Sequence, residues 1–142
     1  MKFDEGIKKT ATLKLEKEET FLFFTEAKLG EKIKKTHTRK VGLVFKRDIT
    51  TEKDTGHISV VADGIIALTN KNIIYLKKTG SILKHTFIKD FMIPLENIES
   101  ISEVGLISKW VTISTSDTLF PFKVEEARLF QDKLQQITNK QP

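Results

Sequence analysis

The 142-residue chain carries three histidines, His37, His57 and His85, and no cysteine. A protein metal site needs imidazole, thiolate or carboxylate ligands that converge, and histidines spread this far apart with no Cys near them signal none. Disulfides and cysteine nucleophiles are excluded outright, which suits a reducing compartment. Serine or threonine catalysis needs the hydroxyl placed with a histidine and an acid, and no Gly-x-Ser-x-Gly elbow is present. Lys78-Thr79-Gly80-Ser81 lacks the spacing of a phosphate loop and reads as a turn. The acid pairs Glu18-Glu19 and Glu125-Glu126 read as surface. The residues predict no catalytic group, no metal and no cofactor, and point to a binding protein rather than an enzyme.

Charge supplies the first candidate contact. The net charge is +5, and it is concentrated in residues 28–47. There Lys28, Lys32, Lys34, Lys35, Arg39, Lys40, Lys46 and Arg47 face a single acid, Glu31, for a local net of +7. Such a run either meets an anionic surface, lipid headgroups before nucleic acid, or is a solvated loop. Four bases on one membrane at about 1 kcal/mol each give only about millimolar affinity, so the run could tune a membrane contact but not make one alone.

Aromatic residues supply the second. Phe21, Phe23 and Phe24 are either stacking platforms beside the basic run or core, and strand alternation favours core for at least two. Val111 and Ile113 share one face of the segment Trp110–Ser114. Trp110 on the other face is then a core plug or an anchor for a partner. Phe120 and Phe122 flank Pro121, which cannot donate to a ladder and so marks an edge or a bulge. Trp110, Phe120 and Phe122 are the candidate protein-contact residues, with self-association through an open sheet edge as one outcome.

These residues must be positioned by a mainly β chain. Strands are expected at 20–29, 41–46, 58–62, 65–68, 73–76, 86–93, 110–114 and 119–122, with loops at 30–40 and 47–56. Asp63-Gly64 reads as punctuation, and Thr69-Asn70-Lys71-Asn72 as a hairpin turn, since Asn tolerates positive φ and bonds its own backbone. The period then changes. Ala127, Phe130, Leu134 and Ile137 line one face of a helix over about 124–138. Residues 1–18 read as an N-terminal arm or extra strand ahead of one domain, 19–142. No run approaches a bilayer span, and two acids stand where a signal peptide wants bases, so the expected location is cytoplasmic or peripheral at the inner face of a membrane.

The run Gly64-Ile-Ile-Ala-Leu-Thr69-Asn70-Lys71-Asn72-Ile-Ile-Tyr75 resembles the strand–turn–strand signature of GRAM and bacterial PH-like domains. Ile93-Pro94-Leu95-Glu96-Asn97-Ile98-Glu99-Ser100-Ile101 resembles the same family's strand exit, and Phe120 and Phe122 followed by a helix with Phe130 and Leu134 fit its end. The resemblance covers roughly residues 57–138. It implies a PH-like partly open β-barrel of two near-orthogonal antiparallel sheets with one C-terminal capping helix. It also implies a non-enzymatic binding module for a protein partner, self-association or anionic lipid, with the basic segment between the first two strands.

Overall fold

Ile65–Leu68 and Ile73–Leu76 are apolar on both strand faces, a pattern that is stable only where both faces are covered. The computed structural model, which describes residues 1–34, 58–81, 83–105 and 109–138, covers both. Its strands are β1 (Phe21–Gly30), β2 (Ile33–Lys34), β3 (Val60–Thr69), β4 (Asn72–Gly80), β5 (His85–Pro94), β6 (Ser100–Val104), β7 (Trp110–Ser114) and β8 (Thr118–Val124). The helices are α1 (Phe3–Lys9) and α2 (Ala127–Thr138), and a single 3-10 turn occupies Leu95–Asn97. One antiparallel sheet runs in the order β5-β4-β3-β1-β8-β7-β6, with the short β2 also on β8. It curls into a partly open barrel capped by the C-terminal helix, as the resemblance implied.

The barrel interior is filled by Ile66, Leu68, Ile73, Tyr75, Ile98, Ile113 and Phe122, and α2 lays Phe130 and Leu134 on them, with Ala127 and Ile137 at the margin. A second cluster lies outside the barrel. Phe24, Ile65, Ala67, Ile74 and Leu76 form an apolar outer face on β1, β3 and β4, covered by Met1, Leu13, Leu15, Phe21 and Phe87. Residues 3–9 form a helix that packs as a layer on this face. Gly6 permits the contact, because a Cβ there would lie 2.2 Å from Cγ of Phe24.

Three expectations are corrected. Asp63-Gly64 does not interrupt a strand: β3 runs through it, and Gly64 is needed because a Cβ would meet the Leu76 carbonyl oxygen at 2.0 Å and the Tyr75 hydroxyl at 2.8 Å. Pro121 does not mark an edge. It pairs with Thr112 of β7, and β8 is a central strand. Pairing of β1 with β8 ends at Leu29–Phe122, and β2 resumes at Ile33–Leu119, so the missing donor falls where the ladder has a gap. Finally, Glu125 and Glu126 precede α2 rather than forming its first turn. The strand expected at 41–46 lies outside the described residues.

Candidate functional site

The β3–β4 turn gathers more polar groups than any other turn described. Thr69 Oγ1 accepts from the backbone N–H groups of Lys71 (3.1 Å) and Asn72 (2.9 Å). Thr69 also donates to Glu19 Oε2 at 2.6 Å, and Asn72 Nδ2 donates to the same oxygen at 2.8 Å. Asn70 accepts from the Thr20 N–H and donates to the Glu18 carbonyl, and Leu95 N–H donates to Lys71 O. Glu18 reaches this position with φ 67°. Burial acts to push the Glu19 carboxyl up. Hydrogen bonds from Thr69, the Glu16 N–H and Asn72, with the Lys71 charge, outweigh it and hold the group below its ordinary value. Glu19, expected at the surface, is a buried carboxylate with both oxygens engaged. This arrangement ties the N-terminal layer to the sheet.

The outer face of β1, β3, β4 and β8 beyond α1 forms an open cleft of about 500 Å³. Lys9, Lys28, Lys78 and Lys123 line it, with Glu26, Asp63 and Glu125. Lys28 Nζ donates to Asp63 Oδ1 at 2.9 Å with the side chains 51% and 58% exposed, worth at most about 1 kcal/mol. Glu125 hydrogen-bonds Glu26, and that bond together with their mutual repulsion pushes the Glu125 carboxyl up. Bases and acids nearly cancel, so the cleft has no strong preference for an anion.

Strand β5 differs from both. It is an end of the sheet, and among the described residues it pairs only with β4. Asp90 is an extra residue between the pairs Tyr75–Phe91 and Leu76–Lys89, so the strand carries a bulge at its middle. Ile88 and Met92 stand 56% and 43% exposed on it. Phe91 is half-buried and stacks on Tyr75 (5.6 Å) and Phe120 (5.2 Å), and Lys32 Nζ sits 4.0 Å over the Phe91 ring. The Tyr75 hydroxyl donates to Ala27 O at 3.2 Å, and burial, with Asp63 and Asp90 nearby, pushes the phenol far up.

Comparison with known proteins bears on the fold alone. No family model matches the chain, and no curated protein matches its sequence. Among solved structures it is similar to the Vps36 N-terminal PH domain at 13% identity, with a TM-score of 0.50, over 88% of this chain and 83% of that one. The fold is PH-like.

Within this PH-like barrel the predicted contact residues separate. Lys28 points into the outer cleft, Lys32 caps the aromatic rings of Phe91 and Phe120, and exposed Lys34 sits in β2 opposite Thr118. These three do not converge. Lys35, Arg39, Lys40, Lys46 and Arg47 lie outside the described residues, as do His37 and His57. His85 is exposed at the start of β5 and approaches Ser81 O and the ring of Phe87. Trp110 is not an exposed anchor. It is 5% exposed, covered where Gly30, Ile58 and Pro121 meet, and a Cβ on Gly30 would lie within 2.9 Å of all three neighbours, the indole included. Phe122 is fully buried, and Phe120 is half-buried in the stack with Phe91. Ile88 and Met92, exposed on β5, were not among the predicted contact residues. The mixed sequence Phe87-Ile-Lys-Asp-Phe-Met92 was the available signal, because a charged pair interrupting an apolar strand is how natural edges are marked. Among the described residues no His/Asp/Glu group could hold a metal ion, and no helix is long and apolar enough to cross a membrane.

Proposed function

We propose that this chain is a non-catalytic, cytoplasmic PH-like binding module whose partner is a protein segment that adds a strand to β5. The observation that carries the reading is a ten-residue end strand with one neighbour among the described residues and two exposed apolar side chains, Ile88 and Met92. Main-chain groups on such an edge supply affinity, and alternate side chains supply selectivity. The motifs at Gly64–Tyr75 and Ile93–Ile101 support placing the module with GRAM and bacterial PH-like domains. A photo-crosslinking amino acid at Ile88 or Met92, in the chain expressed in its own cells, should give a discrete adduct. The same group at Leu129, equally exposed on α2, should give none. No adduct from either β5 position would overturn the reading.

A second reading, contact with anionic headgroups through Lys28–Arg47, is supported by the net +7 of that run and the exposure of Lys34. Changing Lys32, Lys34 and Lys35 to Glu should abolish retention on anionic vesicles at unchanged thermal stability. Retention that survives removes the segment as the site, and loss from heparin but not vesicles would point to nucleic acid.

A further inference from the structure

We propose that the strand added to β5 is β5 of a second copy of this chain, paired antiparallel about a two-fold axis passing between Lys89 and Asp90. The inference rests on the edge-strand reading above and names its partner. The midpoint of His85–Pro94 falls between Lys89 and Asp90, both exposed. A two-fold pairing centred there sets Lys89 opposite the second copy's Asp90 twice. Opposite charges across a ladder are favourable and like charges are not. A slip of one residue either way brings Lys89 against Lys89 or Asp90 against Asp90, so the charges select one register.

The bulge makes the same register consistent for the apolar residues. Phe87 and Phe91 are four residues apart, yet Phe87 packs on the outer cluster and Phe91 on the barrel core. The extra residue shifts the alternation between them. Directly opposed residues in an antiparallel ladder share a face. With Lys89 opposite Asp90, Ile88 opposes Phe91 and Phe87 opposes Met92. Ile88 pairs with Lys77 and Phe91 with Tyr75, which are on the same face of β4. Phe87 pairs with Lys78 and Met92 with Ile74, on the other. Both apolar pairs therefore match, whereas an unbulged strand in this register would set inner residues against outer ones. A lysine, a bulge and Pro94 on an edge are devices against indiscriminate pairing. A second β5 carries the matching aspartate and the matching bulge, so these features reject other strands and accept this one.

The test is the molar mass of the full chain by sedimentation equilibrium, from micromolar to millimolar concentration at low salt. The wild type is expected to show a concentration-dependent monomer–dimer equilibrium. Lys89→Asp and Asp90→Lys each create two like-charge pairs and should weaken the dimer by at least about tenfold. The double variant Lys89→Asp/Asp90→Lys restores both ion pairs and should return to within a few-fold of wild type. Thermal melts confirm that each variant folds. A monomeric wild type, a single variant that dimerises like wild type, or a double variant that fails to recover overturns the proposal. If the wild type is monomeric while the Ile88 crosslink gives an adduct with a different protein, the edge reading stands and only the second copy falls. If there is no adduct either, both fall.

Discussion

The chain covers one apolar face of its sheet with its own residues and, among the described residues, leaves the edge at β5 uncovered. The outer face of β1, β3 and β4 is covered by its own residues 1–15, with Phe24 buried beneath Gly6 and flanked by Phe3 and Phe21. The edge at β5 keeps Ile88 and Met92 exposed, under no described element. A surface the chain covers itself contributes to folding at every concentration. One left open contributes only when a partner arrives. Substitutions in the two places should therefore separate stability from association.

The largest effect is expected in the covered layer. Phe24→Ala should cost about 3–5 kcal/mol, a large part of a total near 5–15 kcal/mol, read as a lower midpoint in urea unfolding. Gly6→Ala drives a methyl into the Phe24 ring and should cost about 1–3 kcal/mol by the same measurement. Losses below about 0.5 kcal/mol in both would mean that the N-terminal layer is not docked as described.

A middle-sized effect is expected at Glu19. Its carboxyl is held below the value it has unfolded, so its stabilisation is fully present above the unfolded pKa, about 4.3. It is lost as pH falls through the lower, folded value. Glu19→Gln should cost about 1–3 kcal/mol at neutral pH and flatten the acid side of the stability profile. An unchanged acid limb would remove Glu19 from the account.

The smallest stability effect is expected at the open edge. Ile88→Lys or Met92→Lys should change stability by no more than about 0.5 kcal/mol while abolishing association. A large loss of stability there would show that β5 is covered by the chain itself, and the contrast between the two surfaces would fail.

Much of the frame was legible in the residues. The β3–β4 hairpin announced itself through two apolar runs around Thr69–Asn72, and α2 through the change of period at Ala127. The N-terminal helix did not. Phe3–Lys9 is seven residues long with a glycine inside, too short to be stable alone, and it exists because Gly6 seats on Phe24. The signal that something covers the outer face was instead in β3 and β4, apolar on both sides. Pro121 misled because the rule that confines proline to edges is local, while the gap between β1 and β2 that tolerates it is made by tertiary pairing. Trp110 stayed open between core plug and partner anchor for a related reason. Alternation along β7 tells which face meets the barrel, but not that Ile58 and Pro121 close over the other.

Amide hydrogen exchange along β5, followed as protein concentration rises, shows whether this edge is where copies of the chain meet. Amides within His85–Pro94 should gain protection with concentration, while those of β1 beneath the N-terminal layer stay equally protected throughout. Exchange in β5 that does not change as the protein associates would place the interface elsewhere and contradict pairing through β5.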